Sequence, residues 1–515
     1  MRIDNFGPGD FLSLALFDST GARSIALVSA TPTQVVIRNP VTGAVSTFLG
    51  SGFTADPIAN PGGVVSSWTI VNAQGRTIAS VTAMQVPVLD FLMALDEAAT
   101  ANDFTLFNQL LSQHPLTVDS STSVDGAGFL FDGVTSDITL IGSAFGDTLG
   151  GGSGNDSIDP GITPVNGRDA IFGSAGNDVV NFSAVLPNRG VVQLTYADIM
   201  AGGITAAING AANTGSIGLT AGTTTLVNVN RALDADTDGF ALFGTAANDT
   251  FTITGGAGSY IGVGGSEGND TFNLALTGDI RLIYDGSWHD YALQGVVVNL
   301  ATGVVANDGF GGTDTLNITD GAGWLEVYAS NLSDLITGSN RASESYILLG
   351  GNDTLAGGGG FDLLRFDRNE FTAGAAVDLA VGTATGYTGL NPFSHSISGV
   401  EAVRGTAAYN DTLQGSVGAD TFEGLGGNDI LRGGDGADTL WGGDGADTLN
   451  GGTGDDFIFG GDTSVDLRDV IYGGDGNDSV DGGHGNDLVF GGNGNDSVEG
   501  GFGVDEIQGQ AAMTC

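Results

Sequence analysis

A mainly β chain that ends in a parallel β-roll is the fold class this sequence predicts. Three observations carry it. From Gly405 to Gln508, glycine, aspartate and one apolar residue return every nine positions. Ahead of that array, Val-, Ile- and Thr-rich segments alternate with Gly, Pro and Asn turn signals. Helical periodicity is confined to two short stripes between residues 88 and 111. The expected order is a small N-terminal β-rich domain with two short helices over 1–118, then an interrupted β-rich middle region over 119–404. The continuous array over 405–509 and a tail over 510–515 complete it.

In the N-terminal region, Ile25 to Arg38, Val45 to Phe53 and Val64 to Ala83 read as antiparallel strands. Asn39-Pro40, Pro61-Gly62-Gly63 and Gln74-Gly75 divide them. Val88, Leu89, Phe91, Leu92 and Leu95 fall on one helical face. Phe104, Phe107, Leu110 and Leu111 form a second stripe, with Asp103 placed to cap it and Pro115 to end it. From about Val118 the rhythm Gly-x-x-Gly-x-Asp surfaces, at Gly151 to Asp159, Gly173 to Asn181, Gly244 to Thr252 and Gly357 to Arg365. Between these blocks lie β-type segments, notably 182–240 and 274–335, which read as excursions from a coil. Val296 to Gly303 (VVVNLATG) and Ala376 to Gly382 (AVDLAVG) resemble one another, and each precedes a return to the repeat.

Nine nonapeptides, starting at Gly415, Gly424, Gly433, Gly442, Gly451, Gly473, Gly482, Gly491 and Gly500, share one register. Each has Gly at positions 1 and 4, Asp at position 6 and an apolar residue at position 8. Residues 405–414 carry one extra residue and 460–472 carry four, yet both keep the Asp and the apolar position. Positions 7 to 9 predict a three-residue strand whose central side chain points inward, because strand side chains alternate faces. Positions 1 to 6 reverse the chain. Two nonads close one coil, so turns 18 residues apart stack on the same edge, roughly 4.8 Å apart as in any sheet. Asp420, Asp438 and Asp456 then align on one edge, and Asp429 and Asp447 on the other.

The charge points the same way. The 515 residues hold 60 acids, 51 of them Asp, against 14 basic residues that are all Arg, a formal charge of −46. Such a surface excludes nucleic acid as a partner, because phosphate binding needs clustered Lys and Arg. Yet 41% of the chain is hydrophobic, so it can build packed cores, and its acid must be neutralised locally. Stacked carboxylates and backbone carbonyls are hard oxygen ligands suited to several Ca2+ ions. Mg2+ fits less well, since it gives up its waters reluctantly and needs small octahedral sites. The candidate metal ligands are Asp156, Asp178, Asp249, Asp270, Asp353, Asp362, Asp411, Asp420, Asp429, Asp438, Asp447, Asp456, Asp469, Asp478, Asp487, Asp496 and Asp505.

The motif GGxGxDxUx, close to consensus in Gly433 to Trp441 (GGDGADTLW) and Gly473 to Asp481 (GGDGNDSVD), resembles the nonapeptide of the repeats-in-toxin (RTX) family. The dense match covers 405–508 and scattered matches reach back to about 142. The resemblance implies calcium binding, export by type I secretion directly to the medium, and folding on meeting extracellular calcium. Secretion signals of that type usually follow the repeats, where this chain has Gly509 to Cys515. Met1 to Gly21 does not read as a secretory leader, since acids surround its short apolar run. No apolar stretch is long enough to span a bilayer. Cys515 is the one cysteine, so no intrachain disulfide is expected.

Other motifs carry less. Asp234, Asp236 and Asp238 copy the start of an EF-hand loop, but its twelfth position is Thr245 rather than the bidentate Glu. His289 lies beside Asp290, but adjacent strand residues face opposite ways. His395 is expected in a loop. No HExxH zinc-protease motif is present. The string Gly264-Gly265-Ser266-Glu267-Gly268 matches a lipase elbow. It runs into Asn269-Asp270-Thr271-Phe272, however, and so reads as a repeat turn with no catalytic residue assigned. The sequence therefore favours a secreted or cell-surface calcium-binding protein in a structural, adhesive or matrix role. Its partners would be calcium ions and cell-surface or matrix components. The alternative is the calcium-dependent portion of a secreted hydrolase whose catalytic site forms no local motif.

Overall fold

A computed structural model describes residues 26–509, apart from 32, 39–44, 54–62, 72–76, 83–85, 88–108, 110, 114, 122–127, 132, 164–166, 184–189, 198–201, 234–238, 256–259, 276, 286–291 and 320–322. The first expected helix and most of the second lie outside these residues, as do Asp234, Asp236, Asp238, His114 and His289. The chain divides into two units, Met1–Asp279 and Ile280–Cys515.

The first unit begins as an antiparallel meander. Ala26–Thr31, Gln34–Arg38, Val45–Ser51, Val64–Val71 and Thr77–Thr82 pair in sequence order. Alternation sends Val35, Ile37, Phe48, Val65 and Trp68 inward, and Phe48 stacks on Trp68 at 5.4 Å. Leu116–Asp119 then pairs antiparallel with Thr77–Thr82 and parallel with Ile138–Ile141. One strand thus joins the meander to a parallel coil. Ile138–Ile141, Ser157–Asp159 and Val179–Asn181 stack in one column. Thr148–Gly150, Arg168–Phe172, Val191–Thr195 and Phe240–Phe243 stack in another.

The segment over 182–240 leaves the nine-residue rhythm but not the sheet. Thr205–Asn209, Thr214–Leu219 and Gly222–Val227 form an antiparallel meander. Its last strand pairs parallel with Val179–Asn181 and its first with Thr250–Thr254. Three rungs therefore stand where a regular coil would supply one. In the second unit, Ala376–Asp378, Thr383–Thr388 and Asn391–Ser398 repeat the device between Thr354–Ala356 and Thr412–Gln414. His395, expected in a loop, lies on the last of these strands and is buried, because the alternation of that strand turns it inward.

From Thr412 onward the second unit is a regular two-column coil. Thr421–Gly426, Thr439–Asp444, Phe457–Phe459, Ser479–Asp481 and Ser497–Glu499 pair in parallel, with Phe422 opposite Leu440 and Leu440 opposite Ile458. Thr412–Gln414, Ile430–Asp435, Thr448–Thr453, Val470–Asp475, Leu488–Asn493 and Glu506–Gln508 form the second column. The 18-residue register is the expected one. Six of these strands run six residues rather than three, because pairing continues through positions 1 to 3 of the next nonad. Phe422, Leu431, Leu440, Leu449, Ile458, Ile471, Val480, Val489 and Val498 fill the core, each at most 3% exposed. Stacking nonads thus buries one apolar side chain per half-coil, worth roughly 1.5–3 kcal/mol each.

Candidate metal centre

Every turn in the array but the last, at Asp505, brings its position-6 aspartate under the strands rather than out to solvent. Asp429, Asp438, Asp447, Asp456, Asp469, Asp478 and Asp487 are at most 2% exposed. Their Oδ1 atoms form two ladders, one per edge. On one edge Asp411 N donates to Asp429 Oδ1 at 2.7 Å, Asp429 N to Asp447 at 2.7 Å, Asp447 N to Asp469 at 2.8 Å and Asp469 N to Asp487 at 2.9 Å. On the other, Asp420 N donates to Asp438 Oδ1, Asp438 N to Asp456 and Asp456 N to Asp478, at 2.8–3.0 Å. The thirteen-residue turn at 460–472 stretches the step from 18 to 22 residues without breaking either ladder. Asp496 and Asp505 receive the N–H groups of Asp478 and Asp487 at 3.3 and 3.0 Å. Position 5 adds a ladder in the opposite sense, in which Asn428 N donates to Asn410 Oδ1 and Asn495 N to Asn477 Oδ1.

The second oxygen differs. Oδ2 of Asp429, Asp438, Asp447, Asp456, Asp469, Asp478 and Asp487 is buried and accepts no hydrogen bond among the described residues. An unpartnered buried carboxylate oxygen is costly unless a charge is brought to it. The cost is visible in the protonation of these groups. Burial, reinforced by the neighbouring aspartates of the same edge, raises Asp429 to about 8 and Asp469 to about 9. Asp438, Asp447, Asp478 and Asp487 rise to about 6 for the same first reason.

The residues fit a calcium ion. At Gly442 the place a Cβ would occupy lies 2.5 Å from Asp447 Oδ2 and 2.6 Å from the carbonyl oxygen of Gly460, in the next turn of that edge. Gly424, Gly433 and Gly451 set the same two oxygens side by side. Each turn therefore presents a bare carboxylate oxygen next to a carbonyl of its neighbour, and position 1 has to be glycine to leave that space open. Hard oxygens of both kinds are what Ca2+ takes.

Towards the N-terminus the same aspartates meet different partners. In five turns where position 2 is Ser or Thr, its backbone N–H donates to Oδ2. Ser143 does so to Asp147 at 2.6 Å, Thr245 to Asp249 at 2.7 Å and Ser330 to Asp334 at 3.0 Å. Thr406 donates to Asp411 at 2.7 Å and Ser416 to Asp420 at 2.6 Å. The hydroxyl of Ser174 reaches Asp178 Oδ2 at 3.0 Å. Asp156, Asp178 and Asp270 accept the backbone N–H groups of Ile138, Asp156 and Asp249 on Oδ1. Asp353 and Asp362 stand beside unlike rungs, since Asp353 N donates to His395 Nδ1 and Asp362 N to Glu401 Oε2. Sequence reasoning missed Asp147, Asp169 and Asp334, which carry ladder bonds of the same kind. Their signal is the surviving end of the repeat, in Asp147-Thr-Leu149, Asp169-Ala-Ile171 and Asp334-Leu-Ile336, where one or both glycines of the Gly-x-x-Gly start are lost.

Ser266 lies in the turn between the strands Tyr260–Gly264 and Thr271–Ala275, with no helix after it. Its φ of 68° is the left-handed value that Gly434 and Gly443 take at position 2 of their turns. Among the described residues no helix is long and apolar enough to cross a membrane.

The comparisons agree with this geometry. No curated protein matches the chain. The family model of the RTX calcium-binding nonapeptide repeat matches residues 139–162, 165–184, 349–365, 406–440, 441–464, 465–498 and 490–511. These segments hold all seven bare aspartates, and the nonapeptides of this family bind calcium. The chain carries the RTX calcium-binding nonapeptide repeat, dense from 406 onward and scattered before it.

Proposed function

We propose that this chain is a secreted or cell-surface protein in a structural, adhesive or matrix role, and that its C-terminal array folds as Ca2+ binds. The carrying observation is the row of buried, unpartnered Asp Oδ2 atoms from Asp429 to Asp487. Residues 405–508 hold 21 acids against Arg432 and Arg468, a formal charge of −19. At a screening length of ~8 Å, carboxylates stacked on one edge repel strongly without cations. Metal binding and folding are then one equilibrium. RTX repeats typically belong to secreted proteins, where millimolar calcium is at hand, which supports the extracellular setting.

Calorimetric titration of the EDTA-stripped chain with Ca2+ tests the binding. Several ions with a large folding enthalpy are expected, and no heat beyond dilution would refute the reading. A screen against casein, p-nitrophenyl esters and polysaccharides in millimolar Ca2+ tests the non-enzymatic role. No turnover is expected; turnover abolished by Ser266→Ala would make the chain a hydrolase.

A further inference from the structure

The residue at position 2 sorts the turns into two kinds. In five turns it is Ser or Thr, and its N–H closes on the carboxylate: Ser143, Thr245, Ser330, Thr406 and Ser416. None of the five is left-handed, because among the described non-glycine residues a positive φ occurs only at Asn213, Asn228, Ser266 and Leu425. In the nine-residue turns after Ser416 the hand reverses; the thirteen-residue turn at 460–472 departs from this, since Gly461 is not left-handed and Asp469 Oδ2 is still bare. Gly434, Gly443, Gly452, Gly474 and Gly483 take φ of 113°, 107°, 112°, 122° and 81°, and Leu425 takes 73°. In each of those six turns the N–H no longer reaches the carboxylate, and Oδ2 of the aspartate is bare. A left-handed backbone is cheap only for glycine, at about 1–2 kcal/mol less than for other residues. Glycine at position 2 therefore holds the turn in the form that withholds its own donor.

We propose that, outside the thirteen-residue turn at 460–472, the backbone hand at position 2 decides whether the aspartate takes calcium. A right-handed Ser or Thr turn supplies its own N–H and hydroxyl in place of the cation, as at Asp147, Asp249, Asp334, Asp411 and Asp420. A left-handed turn leaves Oδ2 to the ion. The chain is then a hybrid coil. Capped rungs reach Asp420, with a left-handed turn among them at Gly358 above the bare Oδ2 of Asp362, and the continuous calcium-dependent stretch starts at Asp429, stacked directly on Asp411. The capped rungs give the calcium-dependent ones a formed edge to grow on, which removes the nucleation cost of a free-standing array. This inference rests on the calcium reading above and divides its candidate ligands in two.

The test is the number of ions bound by the full chain, read by equilibrium dialysis with 45Ca2+. Ser416→Gly removes the cap and frees the backbone hand, so it should gain about one ion. Ser416→Ala keeps the right hand and the N–H cap, so it should gain none. Asp420→Asn should leave the count unchanged, whereas Asp447→Asn should lower it by at least one. Equal losses from Asp420→Asn and Asp447→Asn would overturn the inference while leaving calcium binding intact, as would an unchanged count in Ser416→Gly. A parent chain that binds no ion would instead overturn the calcium reading itself. Far-UV circular dichroism in saturating Ca2+ identifies any variant that fails to fold. If Asp447→Asn is one, Ser416→Gly against Ser416→Ala still decides the question.

Discussion

At the scale of single residues, one carboxylate does two jobs with two oxygens. Oδ1 ties each aspartate to the turn before it, and Oδ2 faces a carbonyl of the turn after it. The two roles separate experimentally. Gly442→Ala would place a methyl group 2.5 Å from Asp447 Oδ2 and 2.6 Å from the Gly460 carbonyl oxygen. Neither oxygen can yield without opening the edge, so a loss of about 1–3 kcal/mol is expected in the calcium-loaded chain. Urea denaturation in saturating Ca2+ measures it, and an unchanged midpoint would show that the cradle is not tight. The aspartates and first glycines of the array were legible in the sequence because nothing but a stacked turn needs them every ninth position. The different fates of Asp420 and Asp429 are also written in the sequence, as Ser416 against Leu425 and the glycines beyond it. That contrast has no meaning until the backbone hand at position 2 is seen.

At the scale of elements, the three-strand insertions were only half legible. Their β character and the kinship of VVVNLATG with AVDLAVG show in the sequence. That the strands remain rungs of the same sheet does not, because antiparallel pairing imposes no nine-residue period. A second feature of this scale is an ionic cluster across four strands. Glu326 on Leu325–Tyr328 meets Arg281 on Asp279–Ile283, and its Oε2 lies 2.6 Å from Arg365 Nη1 on Phe361–Arg365. Arg404 on Ala402–Arg404 lies 3.7 Å from Asp367, which pairs with Arg365 at 2.6 Å. Burial alone would raise the Glu326 carboxyl, but Arg281, Arg365 and Arg368 hold it below the usual range. Glu326→Gln leaves these arginines together without their shared anion. It should destabilise the calcium-loaded chain by about 3 kcal/mol, read from the urea midpoint. A shift under about 0.5 kcal/mol, typical of an exposed pair, would show that solvent already screens the cluster.

For the whole molecule, metal rather than core size is expected to decide whether the C-terminal coil exists. Each half-coil buries a single apolar side chain, while its aspartate brings a bare buried oxygen that only a cation satisfies. Removing calcium should therefore melt the array from Asp429 onward and spare the capped rungs before it. Hydrogen exchange on the full chain, in EDTA and then in millimolar Ca2+, measures this segment by segment. The account predicts that strands from Ile430 to Glu499 exchange freely in EDTA and become protected on adding Ca2+. Strands around Asp147 and Asp249 should be protected in both. Equal protection of Ile430–Glu499 with and without calcium would contradict it.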